Sequence, residues 1–275
     1  VRNLLGEGVV PMELLGKRVL ITGASRGIGR SLASAFADAG ATVALVARDG
    51  AALESLAAEL GGTAHPADLL DREQRERLVH RVEDEAGPVD VLVNNAGLHH
   101  GRAMWESTAD QVSDQVTLNL LTPLELCRQA IPRMLRRGHG HLVNVASLAA
   151  VSAVPGMTVY AATKAGLAHG TAALRDELKG LPLRLTTVMV GGVPTDMLVN
   201  GEAGYAPFHR SFARLRQIQL LPDTDPDVLA AAVVKGVEQN KATVFLPKRA
   251  APFVAAVEAP RKVVRFVLLG VPRRA

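Results

Sequence analysis

The chain has 275 residues, of which 48% are hydrophobic and 21% charged. That balance excludes a disordered chain and suits one large core-forming unit. No apolar run approaches the ~18 residues of a membrane-spanning helix, and aromatics are only 3%, too few to expect the stacking platforms of a single-strand nucleic-acid binder.

The net charge of +4 is unevenly spread. Residues 241–275 carry eight Lys/Arg against the lone acid Glu258, so the body before them is mildly acidic. The single cysteine, Cys127, leaves no internal disulfide or cysteine metal cluster and makes a reducing, cytoplasmic setting the expectation. Within LELCRQA it reads as a small buried hydrophobe.

In chain order, residues 1–16 read as an N-terminal extension. RVLITG (18–23) is a short apolar run ending in glycine, the pattern of a buried strand. The helix after it carries Ile28, Leu32, Phe36 and Ala39 on one stripe and stops at Gly40. Strand 42–48, helix 52–60, a weaker strand 63–69 and a charged helix 72–87 follow. Next come strand 89–97, a long helix over about 109–136 interrupted by Pro123 and Pro132, and strand 140–147. A helix at or just before Tyr160 runs to about Leu178 and leads into strand 183–192. Residues 194–226 read as polar and irregular, with 196–222 a lid. Helix 226–239 and strand 242–247 close the pattern. Such alternation predicts one α/β domain over 17–247: a doubly wound parallel sheet of about seven strands, helices on both faces.

Two stretches carry chemistry. TGASRGIGR (22–30) lies where the first strand meets the first helix. Gly23, Gly27 and Gly29 permit a tight turn and close ligand approach, and the helix N-terminus offers N–H groups to a pyrophosphate. In VYAATKAG (159–166), Tyr160 and Lys164 are four apart and share one helix face. A tyrosine titrates near pH ~10, and a neighbouring ammonium is expected to lower that value.

With its spacing G-x-x-x-G-x-G, the chain resembles the short-chain dehydrogenase/reductase family, whose signature T-G-x-x-x-G-x-G is matched by Thr22, Gly23, Gly27 and Gly29. NNAG (94–97) matches the second motif. Asn119, Ser147, Tyr160 and Lys164 match the catalytic tetrad. GGVPT (191–195) resembles the P-G-x-x-x-T motif, with Val190 in place of the proline.

The resemblance implies a Rossmann-type domain that moves a hydride between a nicotinamide cofactor and a carbonyl or secondary alcohol. It implies Tyr160 as proton donor, Ser147 as hydrogen-bond donor to the carbonyl oxygen, and Lys164 as tuner of Tyr160 and ribose ligand. Asn119 would anchor a water linking Lys164 to solvent. For the cofactor it implies Gly23, Ser25, Arg26, Gly27, Ile28 and Gly29 at the phosphates. Arg48 would lie by the ribose, Asp68 and Leu69 at the adenine. Asn95, Ala96 and Gly97 would line the adenosine ribose, with Val193 and Thr195 at the carboxamide.

At the end of the second strand stand Ala47 and Arg48. With Arg26 they offer two guanidiniums and so favour NADP over NAD. Asp49 keeps NAD open, since a strand one residue longer would place an acid there. No metal is expected, because the histidines lack partners at ligand spacing. Leu148, Val154, Met157, Val193 and Met197 suggest an apolar substrate. Tyr205, Phe208 and Phe212 either cover it or pack the lid.

The tail 248–275 departs from the family. A helix over 261–269 would put Val263, Val264, Phe266, Val267 and Leu268 opposite Arg261, Lys262 and Arg265. It suits either packing on the body or a partner, or peripheral contact with an anionic membrane. A homodimer or homotetramer is expected. Two other functions remain open: a non-catalytic NADP-binding regulator on the same fold, and a membrane-surface interaction protein.

Overall fold

The structure is a computed structural model that describes residues 12–152 and 154–252, together with 255, 256 and 259. The helix expected over 261–269 lies outside the described residues. Seven parallel strands form one sheet: β1 (Arg18–Thr22), β2 (Thr42–Val46), β3 (Thr63–Ala64), β4 (Val91–Asn94), β5 (Gly140–Val145), β6 (Leu183–Val190) and β7 (Thr243–Leu246). Their order across the sheet is β3-β2-β1-β4-β5-β6-β7. The direction of winding reverses between β1 and β4. Parallel strands demand crossovers, and helices supply them on both faces: α1 (Gly27–Asp38), α2 (Gly50–Leu60), α3 (Arg72–Ala86), α4 (Ala109–Val116), α5 (Thr122–Arg137), α6 (Thr158–Glu177), α7 (Asp196–Gly204), α8 (Ala206–Gln217) and α9 (Pro226–Glu238).

The strands are buried on both sides, as their continuous apolar runs require. In β1, Val19 and Ile21 join the core under α1, α2 and α9. Leu20 faces the other core with Leu78, Leu126 and Leu142. The body begins earlier than residue 17: Leu14 is buried in the first core, and the Met12 amide donates to the Glu238 carbonyl at 2.8 Å.

Three expected elements are corrected. The strand expected over 63–69 is limited to Thr63–Ala64, and Pro66 follows on the free edge of the sheet, where its missing N–H costs no ladder bond. His65 and Ala67 still donate to Leu45 and Ala47 carbonyls at 2.8 and 2.9 Å. The segment expected to be irregular contains α7 and α8. Helix α8 has Pro207 in its first turn, and Phe208 and Phe212, four apart, are both buried.

Third, the long helix expected over 109–136 is not uniform. Thr117–Leu121 wind one π-helical turn between α4 and α5. Pro123 has no N–H to give to the carbonyl four residues back. The backbone N–H of Thr122 reaches instead to the Thr117 carbonyl, and so does its hydroxyl at 2.8 Å. Asn119 sits inside this turn, fully buried.

Candidate active site

The C-terminal ends of β1, β2, β4, β5 and β6 open onto one cleft of about 710 Å³ at the switch point. Its dinucleotide end is built by backbone crowding. Gly23 has φ +66°, and a Cβ there would stand 2.9 Å from Ala96 Cα. A Cβ on Gly29 would overlap the Gly23 carbonyl oxygen, so only glycine lets α1 start this close to β1. Thr22 locks the two loops together: its hydroxyl accepts from the amides of Asn95 and Ala96 at 3.0 and 3.1 Å. Asn95 Nδ2 donates back to the carbonyls of Thr22 and Gly23 at 3.0 and 3.2 Å. No side chain caps α1, which leaves its first N–H groups for an anion. This is a fit for a pyrophosphate.

All the residues expected at the cofactor line this one cleft: Gly23, Ser25, Arg26, Gly27, Ile28, Gly29, Arg48, Asp68, Leu69, Asn95, Ala96, Gly97, Val193 and Thr195, along with Tyr160 and Lys164. Two of these, and Asp49 beside them, have further commitments in the folded chain. Arg26 pairs with Asp196 on α7 at 3.1 Å, both largely exposed. Asp68 accepts from the Leu70 amide at 3.0 Å, which makes it a turn residue as well as a wall of the cleft. Asp49 caps α2 by accepting from the Ala52 amide at 3.1 Å. The strand ends at Val46, and Arg48 and Asp49 are both exposed beyond it and line the cleft.

The chemical end joins β5, α6 and the π turn. Ser147 is buried beyond β5; its hydroxyl donates to the Val190 carbonyl at 3.2 Å and accepts from the Ala149 amide at 3.1 Å. Tyr160 stands in the first turn of α6, hydrogen-bonded to Ser147. One turn on, Lys164 Nζ donates to the Val145 carbonyl at 2.8 Å and lies 5.8 Å from the Tyr160 ring centroid.

Asn119 does not line the cleft. It clamps Leu98, accepting from its amide and donating to its carbonyl, both at 2.8 Å. A Cβ on Gly97 would be 3.1 Å from Asn119 Oδ1 and 3.6 Å from Lys164 Nζ, so Asn119 stands just behind Lys164. The small residues of α6 have a packing partner: Gly166 faces Leu120, and Gly170 faces Leu124, at close van der Waals range.

The electrostatics differ from expectation. Burial pushes Tyr160 above its ordinary pKa of 10.0, and the Ser147 hydrogen bond offsets only part of that. Burial also pulls Lys164 down to about 8. A cation disfavoured by its own desolvation does not by itself outweigh the burial that raises the tyrosine.

Leu148, Val154, Met157, Val193 and Met197 line the cleft, as do Phe208 and Phe212. Tyr205 does not; it packs against Gly156. Sequence reasoning missed several lining residues, among them Leu98, His99, Ser152 and Leu221. The His99 ring lies 5.0 Å from the Tyr160 ring and 5.2 Å from the Phe208 ring. Only its place two residues after NNAG hinted at this.

A parallel sheet with a glycine turn, an uncapped helix and a buried Ser–Tyr–Lys cluster at its switch point defines a dinucleotide-binding oxidoreductase. The short chain dehydrogenase family model matches residues 17–205. The chain belongs to the short-chain dehydrogenase/reductase family, whose fold binds NAD or NADP. It is 37% identical over 236 residues to ketoacyl reductase HetN of Nostoc sp., covering 84% of this chain and 78% of that protein. A short-chain dehydrogenase from Sphingobium yanoikuyae in complex with NADPH superposes with TM-score 0.77 at 28% identity, over 93% of this chain and 97% of that one. One from Burkholderia phymatum in complex with NAD gives TM-score 0.75 at 23% identity, over 93% and 96%, a likeness of fold. Among the described residues no helix is long and apolar enough to cross a membrane.

Proposed function

We propose that the protein is an NADP-dependent reductase of an apolar carbonyl compound, with Tyr160 as the proton donor. The observation that carries this reading is the meeting of Tyr160 with Ser147 and Lys164 in the same cleft as the glycine turn. NADPH, when bound, would supply the hydride. Ser147 and Tyr160 then hold the carbonyl oxygen between two hydroxyl donors, which stabilises the charge that develops there. Tyr160 passes its proton to that oxygen. Because burial holds Tyr160 above its usual range, it stays protonated at neutral pH, as a donor in reduction must. Lys164 binds the nicotinamide ribose, and Asn119 is a positioning residue that fixes Leu98 beside it.

Arg48 supports NADP: it is the exposed cation at the tip of β2, while Asp49 is held as a helix cap. The apolar lining supports a ketone or acyl-type substrate, in keeping with the ketoacyl reductase named for HetN. NADPH consumption, followed optically against ketoacyl, terpenoid, steroid and aromatic ketones, tests the reading. Turnover is expected with apolar ketones. Its absence across the panel, or equal use of NADH, would count against the proposal.

Lys164 gives a pH test of the site. Its folded pKa of about 8 lies below the ordinary 10.5. Between those values the unfolded chain holds the proton that the folded chain has released, so stability rises with pH across that window. Below it both states are charged and the burial penalty is complete. Thermal unfolding at stepped pH should show wild type gaining on Lys164→Met from pH about 8 to about 10.5. A constant difference would disprove the assignment.

A further inference from the structure

The wall of the cleft beside Tyr160 is largely apolar, and the His99 ring stands in it. His99 follows the β4 loop and packs between α6 and α8 through Tyr160 and Phe208. Its Nε2 lies 3.1 Å from the Gly156 carbonyl oxygen. A carbonyl oxygen only accepts, so Nε2 carries the proton. Burial holds the ring below its ordinary 6.5 against the opposite pull of the Gly156 hydrogen bond, and at neutral pH it is uncharged. In a neutral imidazole with the proton on Nε2, Nδ1 bears a lone pair. The other hydroxyl on this side of the cleft, Ser152, donates to the Leu148 carbonyl at 2.9 Å. His99 Nδ1 has no hydrogen-bond partner among the described residues, and it is not one of the sealed, unpartnered polar atoms of the interior.

We infer that His99 is a specificity-determining residue: its Nδ1 accepts a hydrogen bond from a hydroxyl carried by the substrate at a second position, away from the reacting carbonyl. The substrate class is thus a hydroxylated apolar ketone, or an apolar diol in the reverse direction. This rests on the reductase reading for which carbon reacts, but not for the recognition itself. An apolar cleft orients its ligand through a few placed polar groups. Tyr160 and Ser147 fix one end of such a molecule, and His99, on the neighbouring ring, fixes its rotation about that end. A spacer needed only to fill the gap beside Phe208 would serve as well with a phenyl ring, which presents no acceptor to the cleft.

The test uses rigid probes, decalone and its counterparts hydroxylated at each position of the second ring. They are titrated into the NADP+ complex of the protein and followed calorimetrically. At least one hydroxydecalone is expected to bind about tenfold tighter than decalone, the worth of one well-formed hydrogen bond that would otherwise go unmade. His99→Phe keeps the ring packing and should bind both probes alike, at the wild-type decalone affinity. In protein labelled with 15N-histidine, the His99 Nδ1 resonance should move with the preferred hydroxydecalone and stay put with decalone, a readout that needs no variant. Equal affinity across the panel, an unmoved resonance, or a preference that survives His99→Phe overturns the proposal. NADPH consumption with the same ketones reports separately on the reductase: selective binding without turnover supports His99 as assigned and rejects the reaction.

Discussion

Tyr160→Phe lowers kcat by about 10²- to 10⁴-fold, the range typical of a lost general acid, and leaves NADPH affinity unchanged. The substitution removes one oxygen and keeps the ring. The tilted contacts with His99 at 5.0 Å and, through it, with Phe208 are made by the ring face. Lys164 keeps its bond to the Val145 carbonyl at 2.8 Å, because that bond does not pass through the phenol. What is lost is the hydroxyl on Ser147, and with it the proton. Initial rates of NADPH oxidation give kcat, and fluorescence titration of NADPH gives the affinity. If the variant turns over at the wild-type rate, Tyr160 is not the donor. If it loses NADPH as well, Tyr160 is a cofactor ligand first. Because Tyr160 is held above its usual pKa, the wild-type reduction rate should stay flat through neutral pH and fall only on the alkaline side.

Arg48→Glu weakens NADPH by about 30- to 100-fold, corresponding to the ~2–3 kcal/mol of a charge-assisted hydrogen bond to phosphate. It leaves NADH as tight or tighter. Arg48 is exposed immediately beyond β2 and makes no ion pair among the described residues, so its guanidinium is available to a 2′-phosphate. Arg26, the other candidate, already spans to Asp196 at 3.1 Å, and its share is correspondingly smaller. Glutamate at 48 would repel the phosphate and accept from a ribose hydroxyl. Paired titrations of wild type and variant with both cofactors measure the switch. An unaltered ratio would move the selectivity elsewhere along the cleft.

Most of the site was legible in the sequence because its parts are local and ordered. A glycine turn after a first strand, an acid-free end of a second, and a tyrosine one turn before a lysine all read from neighbours in the chain. What was not legible depends on contacts between distant segments. Asp49, read from the sequence only as a possible ribose ligand, also caps α2. Phe208 and Phe212 are an i, i+4 pair, but the arginines and histidine between and around them hid the helix they stabilise. The sign of the Tyr160 shift depends on how dry the cleft is, and no spacing of residues reports that. His99 takes its meaning from Gly156 and Phe208, which only the folded chain brings to it.

The π turn at Thr117–Leu121 bears on how this chain should be compared with others and shortened by design. A π turn inserts one surplus residue into an otherwise α-helical path. Deleting one of these five would let the helix close into regular α winding while α4 and α5 keep their faces, because the wide turn is what absorbs the surplus residue. Leu124 would stay opposite Gly170, but the wide turn that carries Asn119 to Leu98 would be gone. A one-residue gap placed here in an alignment therefore leaves the helix packing in register and removes the turn that presents Asn119, whereas the same gap in regular α winding would rotate every later side chain.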